Sequence, residues 1–268
     1  VRKGRVPLVA LPLVVAPLLG ASLAALLLAA LVLGAVPSRA LAAEWFFVPH
    51  GPHVRSGIPG SAARLVRASH AIWIGPRRHN VVYLTFDEGW EGGHTGKLLD
   101  ELARAHVKAT FFVTGTWVRD DPGLARRMAK AGHVVGDHTW SHPHMTALAG
   151  RPKAFAHQLT ATAQAWRHTT GTRMAPFFRP PYGAYDARVL KLAGGLGYTT
   201  VFWSFAHVDY DTSQPPVSVT RARLIAAAYP GTLYLLHASS SSNVAALPSV
   251  IRWLKAHGYS FGTVDQLR

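Results

Sequence analysis

The chain has 268 residues, 49% of them hydrophobic and 15% charged, with 28 Lys and Arg against 13 Asp and Glu and no cysteine. That length holds one large domain or two small ones, and without cysteine there is no disulfide, thiolate metal site or cysteine nucleophile, so any metal must be held by His, Asp or Glu. The net charge of +15 suits an anionic partner surface, but no basic stripe interleaved with aromatics is present, which argues against nucleic acid.

Arg2, Lys3 and Arg5 precede an uncharged apolar run over residues 7–36, and Ala40-Leu41-Ala42 follows it. A basic start, an apolar stretch and a small-x-small site are the parts of a secretory signal. The run also exceeds the roughly 20 residues that span a bilayer, so residues 1–43 read as a signal peptide or an N-terminal membrane anchor. In both cases the remainder is exported, and contact with a membrane is expected only through this segment. Four of the 28 basic residues and none of the 13 acidic ones lie in it, leaving about +11 on the exported part.

Residues 44–78, rich in Gly, Pro, Arg and His, read as an N-terminal extension or linker. From 79 to 268 a single catalytic domain is expected, because strands and helices then alternate. A β-branched and aromatic run at 81–86 predicts a strand, and Leu98, Leu99, Leu102 and Ala105 share one helical face. Residues 109–113 repeat the strand signal. Asp121-Pro122 starts a helix that Gly132 ends. Strands at 134–135, 177–178, 199–203, 232–236 and 260–264 alternate with helices at 153–169, 186–196, 218–228 and 244–257. This α/β rhythm predicts a mostly parallel sheet, open or closed into a barrel. The one low-complexity tract is Ser239-Ser240-Ser241-Ser242.

The unusual polar residues fall just after the strands, where catalytic loops gather in a parallel barrel. Asp87 and Glu88 end the first strand, and Asp137-His138-Thr139-Trp140-Ser141-His142 follows the third. Arg179 through Tyr185, then Asp209-Tyr210, then Leu235-Leu236-His237 follow later strands. His138 and His142 are spaced to aim two imidazoles at one ion, and a carboxylate would complete a three-ligand site with open positions. Glu91, Asp100 and Glu101 read as solvated, and His94, His133 and His144 as surface histidines. His207, beside Asp209, could also contact a substrate.

These five segments resemble the motifs of the polysaccharide deacetylase family, the NodB-homology domain of carbohydrate esterase family four. Thr85-Phe86-Asp87-Glu88-Gly89 is similar to the family's Thr-Phe-Asp-Asp-Gly, and His138 through His142 to its His-Ser/Thr-x-x-His. Arg179 through Tyr185 resembles Arg-x-Pro-x-Gly-x-Tyr, Asp209-Tyr210 the Asp-aromatic motif, and Leu235-Leu236-His237 the Leu-x-His motif. The resemblance implies a distorted, incomplete (β/α) barrel related to the TIM barrel. Phe86 through Gly93, Thr200 through Ser204 and Tyr234 through His237 further resemble de-N-acetylases that act on N-acetylmuramic acid and make muramic δ-lactam in spore cortex.

Roles follow from the resemblance. Asp87 is implied as the base and His237 as the acid, with Arg179 holding Asp87 ionised and Asp209 orienting His237. The backbone N–H of Tyr182 would bind the oxyanion, and His138, His142 and Glu88 would hold the metal. Glu88 stands where the family has Asp, a methylene longer. Zinc is the implied ion, with cobalt or manganese as alternatives. Trp203 and Leu235 line the acetyl pocket or fill the core. The implied partner is peptidoglycan or a related N-acetylated glycan, with no obligate protein partner. The alternatives are deacetylation of chitin oligomers, N-acetylglucosamine or an exopolysaccharide, and an inactive glycan-binding relative.

Overall fold

The structure, a computed structural model, describes residues 43–210 and 213–268. The expected signal or anchor at 1–43 lies outside the described residues except for Ala43. The described chain begins with β1 (Ala43–Glu44), α1 (Gly60–Ser69), β2 (Val81–Glu88), α2 (Thr95–Arg104) and β3 (Thr110–Val113). Next come α3 (Gly115–Asp120), α4 (Pro122–Lys130), β4 (Val134–Asp137), α5 (Met145–Leu148), α6 (Pro152–Thr170) and β5 (Phe177–Phe178). The rest comprises β6 (Ala184–Tyr185), α7 (Ala187–Gly195), β7 (Thr199–Thr200), α8 (Val217–Ala226), β8 (Leu233–His237), α9 (Ser241–Ala256) and β9 (Ser260–Gly262).

Seven of these strands form one sheet in the order β7-β5-β4-β3-β2-β8, with β9 also on β2. Every pairing in it is parallel. The expected strand at 199–203 pairs as a ladder only at Thr199–Thr200. Beyond it Val201 bridges Ile72, and Phe205 bridges Tyr234 of β8. The Leu235 N–H donates to Phe205 O at 2.8 Å. The two sides of the sheet thus meet through single bridges instead of a full ladder, giving the distorted, incomplete (β/α) barrel.

Strand parity sorts the core. Successive side chains point to opposite faces of a strand. Val82, Leu84 and Phe86 of β2 pack in one buried cluster with Leu98, Leu99 and Leu102 of α2 and with Tyr234 and Leu236 of β8. Tyr83 of β2, Phe112 of β3 and Leu233 and Leu235 of β8 belong to a second cluster on the other face. Asp87 follows the parity of Tyr83, and His237 that of Leu233 and Leu235. Both therefore emerge on the inner face at the C-terminal rim. Both faces are covered, as a parallel sheet requires.

The stretch 44–78 is a packed extension and not a loose linker. Trp45 is buried and stacks on Phe202 at 4.2 Å between centroids. Its Nε1–H donates to Trp203 O at 2.9 Å. Helix α1 buries Ala62 and Val66, while Arg55 donates to Pro230 O at 2.9 Å and Gly75 O at 2.7 Å. Aromatic burial supplies the driving force and the guanidinium satisfies carbonyls at the barrel's base. The Gly- and Pro-rich composition concealed this anchoring.

Candidate active site

Parallel register brings together residues remote in sequence. Asp87 of β2 lies opposite His237 of β8 and opposite Phe112 of β3. On the far side β4 ends at Asp137, paired with Phe178, which delivers His138 and Arg179 to the same rim.

Arg179 is fully buried. Its Nη1 donates to Asp87 Oδ1 at 2.6 Å, Nη2 to Phe202 O at 3.1 Å and Nε to Val201 O at 3.3 Å. Its guanidinium carbon lies 4.1 Å from the centre of the Phe112 ring. Burial alone would raise the carboxyl pKa of Asp87, but Arg179, His138 and His237 together outweigh it and leave it lowered. Asp87 is therefore a carboxylate at neutral pH, available to accept a proton.

His237 is the complementary group. Its Nδ1 lies 2.7 Å from Asp209 Oδ1, and its backbone N–H donates to Asp209 Oδ2 at 2.9 Å. Burial acts to lower its pKa, but the hydrogen bond and charge of Asp209 prevail and raise it. With Nδ1 committed to Asp209, Nε2 is the nitrogen left for a substrate, and the side chain is 25% exposed.

His138 and His142 meet with ring centroids 4.8 Å apart. His138 Nδ1 is bonded to Arg179 O at 2.8 Å, and its Nε2 lies 3.6 Å from Asp87 Oδ2. A carbonyl partner at Nδ1 fixes the proton there and leaves the Nε2 lone pair for a ligand. Burial lowers the pKa of His138. Burial and then His138 lower His142 to about 3. Two neutral, converging imidazoles beside a carboxylate fit a divalent ion.

Glu88 does not join them. It shares the parity of Val82, Leu84 and Phe86, so its side chain sits on the outer face of β2. Thr95 Oγ1 of α2 lies 3.4 Å from its Oε2, and Oε1 is buried without a hydrogen-bond partner. Burial first, then Glu91, pushes its pKa well up. Among the described residues no group of three or more His, Cys, Asp or Glu is assembled to hold an ion. The expected three-ligand set is thus reduced to its imidazole pair, because adjacent residues of a strand cannot share a face.

The loop after β5 carries Tyr182 in the left-handed region at φ 59°. Thr139 at φ 71° and His142 at φ 57° are also left-handed, and such backbone in non-glycine residues clusters at functional sites. Pro180 and Pro181 have no N–H. The Gly183 N–H donates to Pro180 O at 3.0 Å, and the Ala184 N–H bonds Pro181 O. Trp203 and Leu235 are nearly buried in the inner cluster, with Trp203 5.8 Å from the Arg179 guanidinium.

Of the residues read as surface, His133 and Glu91 turn inward, whereas Asp100 and His144 stay exposed. His133 packs edge-on against Phe111 at 5.1 Å and accepts from the Ala109 N–H, and burial lowers its pKa to about 4. His144 stacks on Tyr182 at 4.0 Å. Glu91 bonds Thr95 through both its backbone N–H and its hydroxyl. Asp100 pairs with Arg127 and Glu101 with Arg104. Sequence reasoning missed Asn243, which contacts Asp209 and His207. Its signal is its place just after the serine tract, where a helix N-terminus is expected.

A family model described as polysaccharide deacetylase matches residues 74–201. The peptidoglycan-N-acetylmuramic acid deacetylase PdaA of Bacillus subtilis is 38% identical over 204 residues, covering 76% of this chain and 77% of the relative. Its structure, described as a family 4 carbohydrate esterase, superposes with a TM-score of 0.82 at 36% identity, covering 85% of this chain and 97% of that one. A family 4 carbohydrate esterase from Bacillus anthracis gives a TM-score of 0.68 at 35% identity, covering 80% of this chain and 95% of that one. The peptidoglycan-N-acetylglucosamine deacetylase PgdA of Listeria monocytogenes is 34% identical over 186 residues, which are 69% of this chain and 38% of the relative. With these likenesses, the chain belongs to the polysaccharide deacetylase family of carbohydrate esterase family four, hydrolases that cleave the carbon–nitrogen bond of N-acetylated sugars.

Proposed function

We propose that this chain is exported and removes the acetyl group from N-acetylmuramic acid in peptidoglycan, the step that opens the way to muramic δ-lactam. The observation that carries the reading is the Asp87–His237 pair. An ionised carboxylate and a proton-bearing imidazole stand on adjacent strands, each with its own buried partner.

Amide hydrolysis needs a base for water and an acid for the departing nitrogen. Asp87 takes the proton of the attacking water. Nε2 of His237 gives a proton to the sugar nitrogen as the carbon–nitrogen bond breaks, releasing acetate and the free amine. Arg179 holds Asp87 charged, and Asp209 keeps the imidazole oriented. The N–H of Tyr182, between two prolines and two committed amides, is assigned to the developing oxyanion. Deacetylases of this family work with a metal ion. Here His138 and His142 would hold it, zinc being the ion that suits two imidazoles, with cobalt or manganese as substitutes. When bound, such an ion supplies Lewis acidity for the carbonyl and a lowered pKa for water. Trp203 and Leu235 would form the floor under the acetyl group.

The muramic acid assignment rests on the likeness to PdaA over most of both chains. The second reading, N-acetylglucosamine as substrate, is favoured by the likeness to the Listeria enzyme. Acetate released from peptide-stripped peptidoglycan with zinc is measured for the wild type and Asp87→Asn. Acetate from the wild type alone, with muramic acid deacetylated on sugar analysis, is the expected result. Loss of acetyl from glucosamine, or from chitin oligomers only, overturns the muramic assignment. No acetate with zinc, cobalt or manganese overturns the enzymatic reading in favour of glycan binding.

A further inference from the structure

We infer that Asn243 is a positioning residue for the acid His237, acting through Asp209. The inference rests on the proposed acid role of His237. Asn243 is buried in the first turn of α9, where its backbone N–H donates to Ser240 Oγ at 3.2 Å. That cap fixes the turn, and the serine tract is what provides it: Ser240 Oγ also donates to Gln214 Oε1 at 2.6 Å, and Ser242 Oγ to Pro215 O at 2.5 Å.

The carboxamide is then fully used. Nδ2 donates to Asp209 Oδ2 and reaches His237 O at 3.3 Å, while Oδ1 lies 3.0 Å from His207 Nε2. Two acceptors on one side and an imidazole on the other define which end is the amide nitrogen. His207 Nε2–H is thereby the donor to Oδ1, and His207 stacks on Phe205 at 5.8 Å. The chain His207–Asn243–Asp209–His237 thus links the loop after β7, helix α9 and strand β8. Asp209 accepts through Oδ1 from the imidazole, and through Oδ2 from the His237 backbone N–H and Asn243. Its carboxylate plane is fixed by donors on both oxygens, which aims the His237 ring. Without Asn243 the carboxylate keeps two donors, both from His237 itself, and can turn with that residue.

The test uses the full chain and two readouts. In proton NMR of the wild type, the His237 Nδ1–H bonded to a carboxylate is expected as a downfield exchangeable resonance, assigned by its loss in His237→Gln. Asn243→Ala is expected to shift or broaden that resonance, and to lower kcat for acetate release by about 10- to 100-fold with KM within about twofold. The resonance needs no substrate, so it judges Asn243 even where the substrate reading fails. An unchanged resonance and unchanged kcat in folded Asn243→Ala would overturn the inference and leave Asn243 a helix-turn residue only. Should Asn243→Ala fail to fold, His207→Gln removes the other anchor of the carboxamide. It is expected to broaden the same resonance, and a wild-type resonance in that variant overturns the inference.

Discussion

The backbone carbonyl of Arg179 accepts from His138 Nδ1 at 2.8 Å while its guanidinium donates to Asp87 at 2.6 Å. One buried residue thereby sets the tautomer of a candidate metal ligand and the charge of the proposed base, Asp87. Coupling of this kind means that a change at residue 179 reaches both functions.

Arg179→Met is expected to destabilise the fold by about 3–5 kcal/mol, because it strands a buried carboxylate. Urea titration measures it. The depressed pKa of Asp87 contributes stability above the unfolded carboxyl value, which is lost as pH falls through the folded one. In the variant Asp87 protonates at higher pH, so the acid limb of kcat/KM moves upward. A limb that stays put removes Arg179 as the support of Asp87.

Metal affinity should depend on both imidazoles and resist mild acid. Protons compete with metal at a histidine, and His142 lies at about 3, against 6.5 for an ordinary imidazole. Zinc measured by competition with a chromophoric chelator should hold its affinity from pH 7 to about pH 5.5, and His142→Ala should lose at least about 10-fold. Equal affinity in His142→Ala would place the ion elsewhere. A chelator should abolish acetate release in the wild type.

Glu88→Gln should leave zinc affinity within about twofold and raise stability at alkaline pH. The folded pKa of Glu88 is raised, so its contribution is fully present below the unfolded carboxyl value and declines as pH rises toward the folded one. The neutral amide removes that decline. Thermal melts from pH 5 to pH 9 should show the variant gaining on the wild type as pH rises. A large loss of zinc affinity would return Glu88 to the ligand set.

Trp45→Ala should destabilise by about 3–5 kcal/mol, the range for emptying a buried aromatic site. The lost contacts are the stack on Phe202 and the hydrogen bond to Trp203 O. Because the Trp45 ring also packs 6.0 Å from Tyr185, at the end of the Tyr182 loop, acetate release should fall further than metal binding. A variant as stable as the wild type would reduce the extension to an appendage.

Much of the site was legible because its signals are local. Strand-terminal placement of Asp87, His138, Arg179 and His237 follows from β-branched runs ended by polar residues, and the spacing of His138 and His142 brings two rings together, whereas Asp209 lies in the loop well beyond β7. Parity was legible as well: Asp87 and Glu88 are consecutive, and a strand sends consecutive side chains to opposite faces. Reading the motif by similarity placed Glu88 with the histidines, and the pleat placed it with Phe86.

The remaining decisions belonged to the tertiary structure. Pairing of Asp87 with His237 is a matter of β2–β8 register, set by the packing of two inner faces from strands whose paired residues stand 150 positions apart in the chain. Asn243 reaches Asp209 only because a capped helix docks beside the loop after β7. The anchoring of Trp45 depends on a stack with a residue more than half the chain away. Sequence alone determined which groups stand at strand ends, since backbone periodicity and side-chain chemistry are local properties. Which of them meet, at what protonation state, was decided by long-range packing, because burial and neighbouring charge exist only once the chain is folded.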